Sequence, residues 1–191
     1  MREWSLNVLI SPSWSADIHT ELVRFLSTSV SEDNYWGQYL TPLLKKRSDL
    51  PFSLHLAVLV EPYLQFILEG KKTVESRFSS HRVAPYQKVA NGDVILLKRS
   101  GGPIMGICEV TEVWYYRLDP RSWLDIKREF TNYLCVQDPS FWSDRKHASF
   151  ATLMRIDKVA TLGPLFIEKK DRRGWVILYN RQKNNPLVLD I

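Results

Sequence analysis

The chain has 191 residues, of which 45% are hydrophobic and 25% are charged. This balance is typical of a folded globular protein and excludes a fibrous or intrinsically disordered one. The net charge of +5 suits a partner that carries phosphates, because cationic side chains release the counterions condensed on a nucleic-acid backbone. Two cysteines and four scattered histidines fit neither a disulfide framework nor a metal-ligand spacing, so no metal or organic cofactor is expected.

Residues 1–50 are predicted to form a helical extension packed on the rest of the protein. Apolar side chains recur at helical spacing from Ile18 to Leu26, and a second helix or turn is expected over residues 35–46. The apolar run at residues 6–10 is too short for a signal peptide or a membrane span. A cytoplasmic location is therefore expected.

The main domain is predicted to begin at residue 51. Residues 54–60 form an apolar run of strand length, and Pro62 then begins a helix, because proline fits the first helical turn, where its missing N–H is not needed. Gly70 stands where a left-handed C-cap is required. This short helix is expected to pack across the end of a sheet or barrel.

The strand predicted after this helix, over residues 71–78, carries charges on one face. Because side chains alternate along a strand, Thr73, Glu75 and Arg77 share that face. A face of this kind either lies at the protein surface or lines a polar cleft, and periodicity alone favours the surface.

Further strands follow, separated by turn-forming residues. A helix that begins at Pro120, with Asp119 as its N-cap, interrupts them. Gly106 and the alternation that slips from Glu109 to Glu112 indicate a β-bulge or a barrel corner. Strands with few intervening helices favour an α+β protein built on a small mixed barrel over a doubly wound sheet. These strands are predicted over residues 94–97, 104–116, 150–162 and 174–179.

The segment from Pro62 to Arg77 resembles the signature of the ASCH domain family. In that family a Pro-aromatic pair, here Pro62 and Tyr63, opens a helix that ends in Gly-x-Lys-Thr-x-Glu-x-Arg, which here runs from Gly70 to Arg77. Runs similar to later strands of the family, bacterial members included, extend the resemblance toward the C-terminus. It implies an N-terminal extension (1–50), an ASCH domain (51–183) and a C-terminal tail (184–191).

The resemblance implies a PUA-like mixed β-barrel with short helices and a polar cleft that binds RNA or a nucleotide. In such a cleft Lys72 would meet a phosphate, and Glu75 would accept a hydrogen bond from a base amino group. Arg77 would clamp a phosphate or form an ion pair with Glu75, and Tyr63 would stack on a base or belong to the core. The predicted binding residues are Tyr63, Lys71, Lys72, Thr73, Glu75 and Arg77.

A hydrolase is the first alternative. Some bacterial relatives that resemble this domain are amidohydrolases of N4-acetylcytidine, which use a lysine, a threonine three residues later and a glutamate from a later helix. Lys72 matches that lysine, Glu75 stands at the threonine position, and Glu129 is the candidate for the glutamate. Other relatives are ribonucleases, and Lys72 and Glu75 would support such acid–base chemistry if burial moved their pKa values toward neutrality.

A protein-interaction module with a vestigial cleft is the second alternative. Under this hypothesis Trp4, Trp14 and Trp36 are exposed anchors for a partner, since interface hot spots are enriched in tryptophan. Packing of the same tryptophans against the barrel is the competing interpretation, because a short extension needs a core to support it.

Overall fold

A computed structural model describes residues 8–10, 16–30, 34–45, 50–169 and 172–181. The described residues form six helices and eight strands, numbered here in chain order. The helices are α1 (Ala16–Ser29), α2 (Asn34–Tyr39), α3 (Thr41–Leu44), α4 (Tyr63–Leu68), α5 (Pro120–Phe130) and α6 (Ser140–Ser143). The strands are β1 (Val8–Ile10), β2 (Leu54–Leu59), β3 (Val74–Ser79), β4 (Val94–Arg99), β5 (Ile104–Arg117), β6 (Phe150–Leu165), β7 (Ile167–Lys169) and β8 (Trp175–Tyr179). No helix within these ranges is long and apolar enough to span a lipid bilayer.

Six of the strands form one curled sheet, in the order β3-β6-β5-β4-β2-β8. Strands β2 and β4 pair in parallel, and the other neighbouring pairs in this sheet are antiparallel. Strands β1 and β7 form a separate parallel pair. The curled sheet is a half-barrel with β3 and β8 as its two edges. The predicted α+β class is confirmed.

The longest strands of the sheet, β5 and β6, pair with an irregular register. Their pairing register shifts between Ile107 and Glu109 and again between Val110 and Glu112, which confirms the bulge predicted from the slipping alternation. An extra residue on one strand bends that strand and increases its twist. These bulges therefore help the sheet to curl instead of remaining open and flat.

Helices α1 to α3 pack on one face of the half-barrel. Leu26 and Trp36 are buried there in one apolar cluster with Leu56 of β2. Trp36 is therefore a core residue, which corrects its interpretation as an exposed anchor for a partner. Trp4 and Trp14 lie outside the described residues.

Several element boundaries differ from the predictions. The segment 35–46 divides into α2 and α3, because Pro42 occupies the first turn of α3, where proline is tolerated and a preceding helix ends. The strand expected from residue 71 begins at Val74. Strands β1 and β7 and helix α6 have three or four residues each and no counterpart among the predictions, since such short elements show no periodicity.

Helices α5 and α6 pack beside β3. As predicted, Asp119 caps α5, and its Oδ1 accepts a hydrogen bond from the Ser122 N–H at 2.7 Å. Ile126 and Phe130 of α5 are buried in one apolar cluster with Val74 of β3. This packing places the connection after α6 next to the edge strand.

Candidate functional site

The two edges of the half-barrel meet at a seam that no backbone pairing closes within the described residues. Arg77 on β3 bridges this seam with its side chain. Its Nη2 donates to the Val58 carbonyl oxygen at 3.0 Å, and its Nη1 donates to the Gly174 carbonyl oxygen at 3.1 Å. Its guanidinium carbon lies 5.3 Å from the centroid of the Trp175 ring. A side chain therefore joins the edges where strands do not, and open space remains along the seam.

The turn after α4 brings a lysine into the seam. Gly70 adopts a φ of +70°, as its predicted role as a left-handed cap requires. The N–H groups of Lys71 and Lys72 then both donate to the Phe66 carbonyl oxygen, at 2.8 and 3.0 Å. Because the chain reverses here, the two lysines point to different surroundings: the Lys71 side chain is 64% exposed, and that of Lys72 is 4% exposed.

Lys72, Glu75 and Arg77 form a cluster of ions, here called the seam cluster. Lys72 Nζ lies 2.9 Å from Glu75 Oε2 and also donates to the Val74 carbonyl oxygen. Glu75 Oε1 lies 2.9 Å from Arg77 Nε. The Arg77 Nε–H is buried but is not directed at that oxygen, and it has no hydrogen-bond partner among the described residues. The contact between Arg77 and Glu75 is therefore an ion pair without a hydrogen bond.

The Glu75 carboxyl is held in its ionised form. Burial alone raises its pKa, but the charges of Lys72 and Arg77, with hydrogen bonds from Lys72 and from the Ser76 N–H, outweigh that effect and lower the pKa below its ordinary value. A carboxylate of this kind accepts hydrogen bonds and is a poor proton donor at neutral pH. The lowered pKa of Glu75 therefore does not suit the role of a general acid.

A cavity of about 260 Å³ opens beside the seam cluster. Its walls come from the end of β2, the start of α4, strand β3 and the region of α6. Tyr63 and Phe78 add aromatic rings to the charged lining. Burial raises the pKa of the Tyr63 hydroxyl, so this group stays a neutral hydrogen-bond donor. The cavity, here called the first cavity, can therefore offer stacking surfaces, cations and one carboxylate to a single ligand.

Arg145 lines the same cavity and was not among the predicted binding residues. Its Nη1 donates to the Phe141 carbonyl oxygen at 2.7 Å, and its guanidinium carbon lies 3.8 Å from the centroid of the Phe141 ring. Burial lowers its pKa, although a guanidinium remains cationic in proteins. The only feature of the sequence that could have indicated Arg145 as a site residue is its basic doublet with Lys146. The chain has several such doublets, so this one does not stand out.

The structure brings together four of the six predicted binding residues: Tyr63, Lys72, Glu75 and Arg77 all line the first cavity. Lys71 points outward, where its Nζ lies 2.6 Å from Glu69 Oε2. Thr73 does not line the cavity, and its backbone N–H and carbonyl instead bond the Tyr133 carbonyl oxygen and the Ile156 N–H.

Glu129, the candidate for a distant catalytic glutamate, is also outside the cavity. It lies on the exposed face of α5, where its Oε1 accepts a hydrogen bond from Arg128 Nη2 at 2.9 Å. The three residues that the hydrolase hypothesis assigned are therefore not assembled at one place, because only Lys72 and Glu75 line the first cavity.

The fold and the site define a PUA-like half-barrel with a charged cleft at the seam of its sheet. The ASCH domain model matches residues 58–184, and the chain belongs to the ASCH domain family. The structure is similar to that of ASCH from Zymomonas mobilis, with a TM-score of 0.53 and 13% identity over 69% of this chain and 92% of that chain.

Two mutant forms of the Zymomonas mobilis protein are similar to this chain in the same way. Their TM-scores are 0.53 and 0.54, each at 13% identity, and the matches cover 68% of this chain and 93% and 91% of the mutant chains. At this level of identity the likeness concerns the fold. No curated protein sequence matches the chain.

Proposed function

We propose that the cleft at the seam binds RNA or a nucleotide. The observation that carries this proposal is the composition of the first cavity, which is lined by three cations, one carboxylate and three aromatic rings. Phosphates are bound by cations, base amino groups donate to carboxylates, and unstacked bases pack on aromatic side chains. A ligand with all three kinds of group is a nucleotide.

The contacts within the site suggest a role for each cation. Lys72 Nζ has three N–H donors, of which two are directed at Glu75 and the Val74 carbonyl oxygen, so one is left for a ligand. Arg145 holds a backbone carbonyl with Nη1 and keeps its other donors for a phosphate. Glu75 is the only acidic residue in the lining, and its ionised carboxylate is suited to select a donor group on a base.

Binding is preferred to hydrolysis for two reasons. The pKa of Glu75 is lowered, which favours an acceptor over a general acid. Glu129 lies on the exposed face of α5 and outside the cavity. Lys72 and Glu75 alone provide no side-chain nucleophile held by a base, which covalent catalysis would require.

The test is a fluorescence-anisotropy titration of short, labelled, single-stranded RNA of mixed sequence, at about 50 mM and about 200 mM salt. Lys72→Met and Lys71→Met remove the same charge from adjacent positions, one inside the cavity and one outside it. We expect Lys72→Met to weaken binding by about tenfold or more, the effect of losing one charged hydrogen bond, and Lys71→Met by no more than about twofold.

Loss of Lys72 also leaves Glu75 with one counter-ion fewer, so Lys72→Met changes more than the charge offered to the RNA. Arg145→Gln serves as a second variant that removes a different cation from the cavity. Circular dichroism establishes that each variant is folded, and mass spectrometry of the RNA after incubation shows whether it stays intact. Equal losses in Lys71→Met and Lys72→Met, or no RNA binding by the wild type at low salt, would contradict the proposal. Cleaved or chemically altered RNA would favour the hydrolase instead.

A further inference from the structure

The seam continues beyond Arg77 into a second cavity of about 190 Å³. Arg77 and Phe78 line both cavities, so the two are neighbours along the edge strand β3. Residues 75–78 of this strand line the first cavity, and residues 77–79 line the second. Ligand pockets in proteins usually have volumes of roughly 300–1,000 Å³. Each cavity alone is smaller than that range and the two together fall within it, which indicates one ligand that spans both.

The lining of the second cavity differs from that of the first. It contains no acidic residue, and its aromatic members are Phe78, Tyr86, Phe150 and Trp175. An uncharged planar group suits such walls, because base–aromatic stacking does not depend on the identity of the base.

A threonine hydroxyl gives this cavity a polar contact for its ligand. Thr152 is 1% exposed and lines the cavity, and its hydroxyl makes no hydrogen bond with any other residue that the structure describes. A hydroxyl can donate one hydrogen bond and accept others, and a ligand with a hydrogen-bonding edge would supply a partner for it. A nucleobase has both the flat faces and the polar edge that this cavity requires.

The mouth of the second cavity is marked by a cation and an exposed apolar side chain. The Arg82 guanidinium carbon lies 5.4 Å from the centroid of the Phe150 ring; Phe150 lines the cavity and Arg82 does not. Val83 also lines the cavity and is 55% exposed, although large apolar side chains in this fold are mostly buried. Both features fit a ligand that enters from solvent with an apolar body and a negative charge.

We propose that the second cavity holds the base of the adjacent nucleotide, so that the cleft binds two consecutive nucleotides of a single strand, one on each side of Arg77. This inference rests on the proposed function of the first cavity. Arg77 has five N–H donors, of which two bond the carbonyl oxygens of Val58 and Gly174. The Nε–H is buried beside Glu75, so the second N–H of each terminal nitrogen is available for the phosphate that links the two nucleosides.

The experiment displaces labelled RNA from the protein with two competitors: nucleoside 5′-monophosphates and 5′-phosphorylated dinucleotides, each as a mixture of sequences. We expect the dinucleotides to compete at least tenfold more strongly. Val83→Glu places a negative charge at the mouth of the second cavity and should remove most of this advantage, with mononucleotide competition changed less than twofold. Thr152→Val, which keeps the shape of the side chain, should reduce the advantage severalfold.

Leu124→Glu is the matched control, because Leu124 is 67% exposed and lines neither cavity. This variant should change the strength of competition by neither the mononucleotides nor the dinucleotides. Dinucleotides that compete no better than mononucleotides, or a Val83→Glu variant that weakens both competitors equally, would overturn the two-nucleotide site while leaving the first cavity as a nucleotide site. If the labelled RNA itself does not bind, the proposed function and this inference fail together.

Discussion

Two clusters of buried charge both contact Trp175, and they differ in how completely their polar atoms are satisfied. In the core, the Asp93 carboxylate accepts hydrogen bonds from the Ser53 and Ala90 N–H groups, both at 2.7 Å, and lies 3.2 Å from His55 Nε2. In the seam cluster, the Glu75 carboxylate is almost as deeply buried, but it lines an open cavity, and the adjacent Arg77 Nε–H has no partner among the described residues.

This comparison teaches that burial of charge does not by itself mark a functional site. Both carboxylate oxygens of Asp93 are engaged by groups that belong to the fold, as is typical of a buried structural network. These contacts give the turn at Gly92 and Asp93 an architectural role. The seam cluster combines burial with incomplete satisfaction and an adjacent cavity, and it is this combination that singles it out as the candidate site.

Trp175 connects the two clusters. Its indole N–H donates to His55 Nδ1 at 3.2 Å, so the other ring nitrogen, Nε2, carries the proton that is shared with Asp93. The Arg77 guanidinium lies over the face of the same ring. The core network therefore fixes the orientation of an aromatic wall that the seam uses.

The largest loss of stability is expected from Asp93→Asn, which breaks the core network. Both carboxylate oxygens accept backbone N–H groups, so an amide must place its own NH₂ group against one of these donors. Removing one partner of a buried charged network costs about 3–5 kcal/mol, and we expect a loss of this size in the free energy of unfolding, measured by urea denaturation.

Asp119→Asn is the control for that prediction. Asp119 caps α5 from an exposed position, and asparagine is an equally good N-cap, so its stability should change little. A similar small change in Asp93→Asn would contradict the view that the core network is structural.

Glu75→Gln tests the seam cluster through the pH dependence of stability, and its expected loss of stability is smaller than that of Asp93→Asn. The pKa of Glu75 is lower in the folded protein than its ordinary value of 4.5. Its ionised form therefore contributes stability that is present above that value and is lost as the pH falls through the folded pKa. We expect the variant to be about 2–3 kcal/mol less stable than the wild type at pH 7, as for a hydrogen-bonded charge, and the difference to shrink toward pH 3.

Urea denaturation of both proteins between pH 7 and pH 3 measures this difference. Glu69→Gln is the control, because its carboxylate also pairs with a lysine but lies at the surface, where the pair contributes little. A stability difference for Glu75→Gln that does not vary with pH would mean that Glu75 is not held as a carboxylate by Lys72 and Arg77.

The sequence predicted the parts of this site that depend on local chain geometry. The helix start at Pro62, the left-handed glycine and the alternation of Glu75 with Arg77 are properties of neighbouring residues, and the structure has all three. The sequence did not separate Lys71 from Lys72, because the direction of a side chain after a helix cap depends on how the turn packs.

The remaining parts of the site depend on contacts between distant segments. Arg145 reaches the first cavity through the packing of α6 beside β3, and Thr152 faces the second cavity from β6. Neither position has a local pattern that distinguishes it from other basic doublets or strand threonines. Closure of the seam by Arg77 likewise requires that β3 and β8 become the two edges of one sheet, which is a property of the topology.

The smallest loss of stability is expected from Gly70→Ala, which tests how much the left-handed conformation of the cap before Lys72 depends on glycine. A Cβ at Gly70 would meet no atom within 4 Å, so the cost is only the strain of an alanine at a φ of +70°, about 1 kcal/mol. Gly70→Asn should cost less, since asparagine tolerates this conformation. Gly163→Ala is the matched control, because Gly163 also has open space around it but no positive φ.

Thermal unfolding of these three variants, with the RNA titration of each, separates the strain of the cap from the placement of Lys72. Lys72 is also held by its backbone bond to Phe66 and its contact with Glu75, so we expect Gly70→Ala to lower stability and to leave RNA affinity within about twofold. A large loss of affinity with little loss of stability would instead show that the position of Lys72 depends on the glycine more than on the seam cluster that surrounds it.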